Sequence, residues 1–507
     1  MPLEDSVPMD PEGTIWDVVV VGTGAGGAAA GFNLARLGRS VLFLERGAVC
    51  NEPSSTVRAS RLVHSLGTVH SNCKPYDVQH GDGSGSGKAD LIAGYGVGGT
   101  TSLFSMVMDR FRPVDFAPGY RAKAPHSSSL PEAWPIQYEE LEPYYSEAEA
   151  LFRVRGTDDP LASPRGSLLE PLAPSATETM VNDTLARSGL HPYRLHYARE
   201  YVPGCDGCPT RPCLQNCRND AGRICVVPAV ERYGARLLPG CLVVRLETNG
   251  YAVNQAICIL NGRRMAIRGR IFVLALNALF TPALLLRSAD DSFPDGLGNR
   301  SGMVGRNLML HVSDLVSVRF GALRGLINED LQNGLSLNDF YVKDEIKLGN
   351  IHAHAMGFTK LTKGLPKLDD SSGTALFSTI VEDFPYLVNR VTPKPGSEDE
   401  VRWEYKYPDE LRFRSAMLVN EFADALRPVC NVSVERPSGV LNASHMCGTC
   451  RFGDDPTTSV LDRYNRIHDL DNTYVLDASF FPSSGGINPS LTIVANSLRA
   501  SALIAQR

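Results

Sequence analysis

Residues 17–47, "DVVVVGTGAGGAAAGFNLARLGRSVLFLERG", carry the pattern that decides the fold. "DVVVVG" is an uninterrupted β-branched run, as in a strand buried on both faces of a parallel sheet. Gly22, Gly24 and Gly27 follow with G-x-G-x-x-G spacing, then a helical stretch, then a second strand, "VLFLE", ending in Glu45. Gly22 permits a tight turn, Gly24 lets the backbone approach phosphates, and Gly27 lets the helix pack close to the strand. The helix N-terminus offers unpaired amides and the positive end of its dipole to an anion. Glu45 stands where a carboxylate accepts hydrogen bonds from a ribose 2′-hydroxyl, and its charge disfavours a 2′-phosphate. The glycines alone are a weak signal. Strand, helix, second strand and terminal acid in this order make the stretch a dinucleotide site.

Outward from that site, composition narrows the choices. A length of 507 residues predicts two or three domains, or one large fold with an inserted second layer. The net charge of -6 is mild, and the absence of a lysine–arginine run argues against nucleic acid or anionic lipid as a partner. The start, "MPLEDSVPMDPEGTIWD", lacks the basic and apolar regions of a secretory signal. The apolar run "IFVLALNALF" is too short to span a bilayer and leads into Thr281-Pro282. The expectation is a soluble, cytoplasmic protein with no membrane partner. There is no second glycine fingerprint, whereas enzymes that pass electrons from NAD(P)H to flavin often need one for each nucleotide. The reading is therefore a single FAD, reduced directly by an organic substrate.

Further segments carry a family resemblance. They are "GYGVGGTTSLFSMVMDRFRPVDF" at 94–116, "WPIQYEELEPYYSEAEA" with Leu141, Tyr144, Tyr145, Ala148 and Leu151 at helical spacing, "GMVGRNLMLH" at 302–311, and "EDFPYLVNRV" at 382–391. The most specific is "HMCGTCRFGDDPTTSVLDRYNRIHDLDNTYVLDASFFPSSGGINPSLTIVANSLRASALI" at 445–504. On these the chain resembles the glucose–methanol–choline (GMC) oxidoreductases, in the branch of bacterial sugar and gluconate dehydrogenases and antibiotic-pathway sugar oxidases. The resemblance implies an α/β fold, α+β overall. A Rossmann-like, doubly wound FAD-binding domain is interleaved with a substrate domain built on an antiparallel sheet. The expected division is 1–16 as a tail, 17–311 mainly FAD-binding with inserted cap and cysteine-rich segments, 312–440 mainly substrate-binding, and 441–507 returning to the FAD domain. Alternation in "LVSVRF" and "VRWEYKY" fits strands of the substrate sheet, and "CLVVRLE" and "IFVLALNA" go to the FAD domain.

The resemblance also assigns residues. Besides Gly22, Gly24, Gly27 and Glu45, the cofactor set is Gly26, Arg46, Gly98, Gly99, Thr100, Thr101, Val243, Ala275, Asp477, Ala478, Asn488, Pro489 and Ser490. His445 and Asn488 are the catalytic pair: His445 takes the substrate hydroxyl proton, and Asn488 bonds the substrate oxygen. An unperturbed histidine pKa lies near working pH, which suits a base. The competing reading of Asn488 is a helix N-cap before Pro489. His311 and His468 are expected to be structural or exposed. Leu103 replaces the histidine that in certain relatives bonds to flavin, so FAD is expected to be non-covalent. Phe104 replaces an asparagine common in the family, which leaves the substrate open.

Cys205, Cys208, Cys213 and Cys217 have spacing able to hold a metal or iron–sulfur cluster, but it differs from ferredoxin patterns, and no metal is assigned. The functional expectation is oxidation of a CH–OH group to a carbonyl on a sugar, polyol or sugar-bearing, possibly aminoglycoside-like, metabolite, with O2 or an unidentified electron acceptor. The alternatives are a dehydrogenase subunit that relays electrons through that cluster, and a non-redox lyase containing FAD.

Overall fold

A computed structural model describes residues 3–47, 76–80, 86–89, 94–120, 124–202, 217–320, 334–353, 374–434 and 440–507. Two large sheets organise them. The first has the order Arg236–Pro239, Val41–Glu45, Ile15–Val21, Arg263–Leu274, Val253–Leu260, Cys241–Thr248, with Thr473–Val475 added beside Arg263–Leu274. Its first four strands and Thr473–Val475 run parallel, and the last two continue it as an antiparallel meander. Val18 to Val21 are buried, as the β-branched run requires.

The helix Ala25–Arg36 crosses this sheet. Its glycines allow close packing: a Cβ at Gly31 would lie 2.2 Å from the Phe43 ring, and one at Gly27 would lie 2.1 Å from the Gly22 carbonyl oxygen. The final helix, Ser490–Ile504, packs against it, and Asn33 Nδ2 donates to Ser501 Oγ at 2.9 Å. Chain segments hundreds of residues apart thus form one layer over the dinucleotide motif.

The second sheet is antiparallel, in the order Asn431–Val434, Leu315–Arg319, Thr374–Glu382, Gly349–Ala353, Leu335–Leu337, Tyr193–Arg194. Met309–Ser313 and Val440–Cys447 pair with each other, and the former also pairs with Thr374–Glu382. These two strands carry residues 309–311 and 441–447, which the sequence division had given to the cofactor domain. The helix Asp409–Leu426 covers the sheet through Leu418 and Phe422, the latter with its ring 5.0 Å from that of Phe377 and tilted by 58°.

One strand assignment needs correction. "VRWEY" does form a strand, Val401–Tyr405, but it belongs to a separate four-stranded sheet with Arg390–Pro393, Tyr76–His80 and Ser86–Ala89. Trp403, Tyr405 and Val391 share a core with Leu279 and Ala283 of the helix Asn277–Arg287. Alternation reports that one strand face is buried, not which sheet it joins. Among the described residues no helix is long and apolar enough to cross a membrane.

Candidate active site

Two cavities meet at the glycine turn. The first is lined by Gly22, Gly24, Glu45, Arg46, Gly99, Thr100, Val243, Ala275 and neighbours; the second, about 500 Å³, by Gly24, Gly26, Thr100, Thr101, Ala275, Asp477, Ala478, His445, Asn488, Pro489 and Ser490, among others. Gly24, Thr100, Ala275 and Asn277 line both, so the two form one elongated site over the helix N-terminus.

The glycines fit a phosphate-bearing group. A Cβ at Gly24 would meet nothing within 4 Å and would project into the space where the cavities join. Gly22 has φ +96, so the turn needs a residue without a side chain there. Gly26 serves packing as well, since its Cβ would fall 1.6 Å from the Leu476 carbonyl oxygen. Gly98 lies behind the cavity, against Asp220 and Gly222, while Gly99 brings its backbone against Gly24.

Glu45 does more than its ribose reading implied. Its Oε2 accepts from Thr23 N at 3.1 Å and Thr23 Oγ1 at 2.5 Å; Oε1 accepts from Gly47 N at 2.8 Å and Gly96 N at 3.0 Å. A carboxylate has about four acceptor sites, so Glu45 pins the Gly94–Thr100 loop to the glycine turn while lining the cavity. Burial pushes its pKa up against these bonds. Arg46 lies 4.5 Å over the Tyr95 ring and 2.7 Å from Asp399. Asp477 accepts from Asn277 N at 3.0 Å, Thr281 Oγ1 at 2.5 Å and Ser479 N at 2.8 Å, which fixes the corner between the cavities. Tyr95, Asn277 and Asp399 line the site without having been singled out in the sequence. Each comes from a loop or a helix start that local patterning does not connect to the motif.

At the far end of the second cavity stand His445 and Asn488. The pairing of Met309–Ser313 with Val440–Cys447 is irregular: Met309 faces Cys447 and His311 faces Asn442, so a step of two residues meets a step of five. The surplus residues bulge and re-aim the strand. The bulge carries His445 to His311, Nδ1 to Nδ1 at 2.8 Å. Asn488 Nδ2 lies 3.4 Å from His445 Nε2, and Asn488 Oδ1 has no hydrogen-bond partner among the described residues. Asn488 does not cap the final helix: Pro489 is the N-cap residue, with no side-chain cap bond. The asparagine side chain is therefore available to the cavity. Burial, with the neighbouring His311 and His352, holds the His445 pKa well below the usual histidine value, so its imidazole is neutral at working pH. His311, expected to be structural or exposed, is buried and in contact with His445, and burial lowers its pKa to about 4. No local sequence pattern links it to His445.

The remaining cavity wall mixes Ser313, His352, Ser378, Asn442 and Ser444 with Phe104, Val107, Leu315 and Ile380. Leu103 also lines this space. Cys205, Cys208 and Cys213 lie outside the described residues. Cys217 is buried. Cys447 and Cys450 are buried free thiols whose pKa values burial raises well above the ordinary thiol value, as in core packing.

The glycine-lined cavity thus opens into a second one that holds a neutral histidine beside an asparagine. Comparison with known proteins gives the class. Two family models described as GMC oxidoreductase match residues 191–313 and 390–497. Paromamine 6'-oxidase of Streptomyces fradiae is 28% identical, over 97% of this chain and 91% of its own length. The fructose dehydrogenase large subunit of Gluconobacter japonicus is 26% identical over 96% of both chains. The crystal structure of pyridoxine 4-oxidase from Mesorbium loti superposes with a TM-score of 0.68 at 18% identity, covering 97% of this chain and 99% of that one, a likeness of fold. Over these two segments the chain is similar to the GMC oxidoreductases, a family of FAD flavoproteins, and it is an enzyme that oxidises CH–OH donors.

Proposed function

We propose that the chain oxidises a secondary or primary hydroxyl of a sugar, polyol or sugar-bearing metabolite to a carbonyl, with His445 as the base. The observation that carries this is the convergence of His445 Nε2 and the Asn488 side chain on the cavity that begins at Gly24. A neutral imidazole can accept the hydroxyl proton as the C–H bond breaks. The Asn488 amide holds the hydroxyl oxygen beside it. When bound, FAD supplies the acceptor for the carbon-bound hydride. The amides at the start of the final helix, around Ser490, give that end of the cavity a partial positive charge that favours developing anionic character.

Gly22, Gly24, Gly26, Gly27, Glu45, Arg46, Gly98, Gly99, Thr100, Thr101, Val243, Ala275, Asp477 and Ala478 form or support the cofactor cradle, and Leu103 in the wall supports non-covalent attachment. The hydroxyl and amide groups of the wall suit further substrate hydroxyls, and its apolar residues suit the C–H faces of a sugar ring. The names of the relatives, a paromamine 6'-oxidase and a fructose dehydrogenase large subunit, support that substrate class. The test is an anaerobic screen of sugars, polyols and aminoglycosides for flavin bleaching, followed by admission of air. Bleaching by a hydroxyl compound, with the carbonyl product recovered, is expected. Bleaching by none of them would overturn the reading.

A further inference from the structure

His311 meets the base through its Nδ1, and its other ring nitrogen has a partner that decides where its proton lies. His311 Nε2 is 2.8 Å from the Gly485 carbonyl oxygen and 3.3 Å from that of Ser484. A carbonyl oxygen cannot donate, so Nε2 carries the hydrogen. Burial keeps His311 neutral at working pH, so its Nδ1 holds a lone pair. At 2.8 Å the facing His445 Nδ1 must then supply the hydrogen of that contact. This leaves His445 Nε2 as an acceptor, on the side where Asn488 and the cavity lie. Asn442 Nδ2, itself a donor, is 3.4 Å from His445 Nδ1 and makes no hydrogen bond to it in this tautomer, and Asn442 Oδ1 is engaged by Ser444 N at 3.0 Å.

The carbonyl that orients His311 is itself held by buried charge. Gly485 N donates to Glu382 Oε1 at 3.1 Å, and Gly486 N donates to Tyr341 Oη at 2.9 Å. Tyr341 Oη lies 2.8 Å from Asp115 Oδ2. Lys347 Nζ sits between the two carboxylates, 2.5 Å from Asp115 and 2.9 Å from Glu382, with all three side chains fully buried. Paired charges are costly to bury, and this cluster fastens the two glycine peptides as well as Arg112 N, which donates to Asp115 Oδ2 at 2.6 Å.

We propose that His311 is a positioning residue for the oxidation: it fixes the tautomer of His445 so that the Nε2 lone pair faces the substrate hydroxyl. The Lys347, Asp115 and Glu382 cluster, through Gly485 and Gly486, keeps His311 in the matching tautomer. This rests on His445 being the base. The charged and titratable groups facing the two imidazoles are Lys347, Asp115, Glu382 and His352.

The test compares the FAD-loaded wild type with H311N, H311L and H445A. Selective 15N-histidine NMR of the oxidised enzyme without substrate reads the tautomer directly, the His445 signals being identified by their loss in H445A. Anaerobic flavin reduction across pH reads the consequence. In H311N the amide oxygen can occupy the position of Nδ1 and accept the same hydrogen; in H311L nothing can. The wild type should show His445 protonated at Nδ1. H311N should keep that state and reduce flavin within about threefold of wild type. H311L should lose it and slow by about 10- to 100-fold, with KM little changed, a fraction of what a positioned base contributes. A wild-type His445 protonated at Nε2 overturns the proposal, and needs no variant to fold. So does an H311L enzyme as fast as wild type, or an H311N enzyme as slow as H311L, which would mark a packing role. An H445A enzyme reducing flavin at the wild-type rate would instead overturn the assignment of the base, whatever His311 does.

Discussion

The glycine turn and the His445 end of the cavity are built in opposite ways. The turn is one contiguous segment, Val18 to Gly47, whose strand, glycines, helix and terminal acid all fall within one βαβ unit. The His445 end joins Met309–Ser313, the bulged Val440–Cys447 and residues 484–490, brought together by a sheet and a buried ion cluster. The first should respond to substitution through cofactor retention and stability. The second should respond through rate, with the cofactor still in place.

The sharpest contrast lies within the turn itself. Gly26→Ala drives a Cβ to within 1.6 Å of the Leu476 carbonyl oxygen, a backbone clash that relaxation cannot easily relieve. It should cost about 3 kcal/mol of stability or more, at the upper end for overpacking, read by denaturant unfolding of the apoprotein. Gly24→Val meets no protein atom at its Cβ and has extended backbone. It should leave unfolding unchanged but abolish FAD retention, measured by the 450 nm to 280 nm absorbance ratio (roughly zero expected on the flavin side). If Gly24→Val binds FAD normally, the cofactor does not cross the turn where the cavities join.

Glu45→Gln comes next. It exchanges an acceptor of four donors for an amide that must point two hydrogens at N–H groups. FAD affinity should fall by about 1–3 kcal/mol, the range for a charged hydrogen-bond partner, with a parallel loss of stability because the Gly94–Thr100 loop is released. Titration of apoprotein with FAD reads the first and thermal unfolding the second. Asn488→Ala is the mildest: flavin reduction should slow about tenfold, the worth of one hydrogen bond of about 1.4 kcal/mol, with normal FAD content. Loss of FAD from this variant would mean that Asn488 belongs to the cradle more than to the substrate.

Sequence reading differed between the two regions for the same reason. The turn was legible because its physics is local: β-branched run, glycine spacing and terminal acid all fall within one βαβ unit. Even there the bonds from Gly96 to Glu45 were not visible, since they depend on a loop 51 residues away. At the other end, His445 and Asn488 were reached through a family resemblance and lie together in the structure, at 3.4 Å. His311 was set aside because neither its spacing nor its neighbours mark it. Its contact with His445 exists because of a register irregularity between two antiparallel strands, and pairing register cannot be read from one strand at a time. The same limit placed "VRWEY" in the wrong sheet while correctly giving it an alternating buried face.

The pH dependence follows from the burial that separates these regions. His445 and His311 both have pKa values lowered by desolvation, the latter to about 4. Each is therefore already neutral through the range where an exposed histidine titrates. The rate of anaerobic flavin reduction should be flat across the range where an exposed histidine titrates and fall only at more acidic pH, as the proposed base takes up a proton. A half-maximal rate near pH 6.5 would place His445 in a more solvated site than its surroundings indicate.

The central claim is that the base of the reaction is His445, held apart from the cofactor cradle. Stopped-flow flavin reduction of His445→Ala, without oxygen and at FAD content matched to wild type, tests it most directly. Normal FAD content is expected, with a rate lower by about 10²–10⁴-fold, the span for a positioned general base. Reduction at the wild-type rate would contradict it.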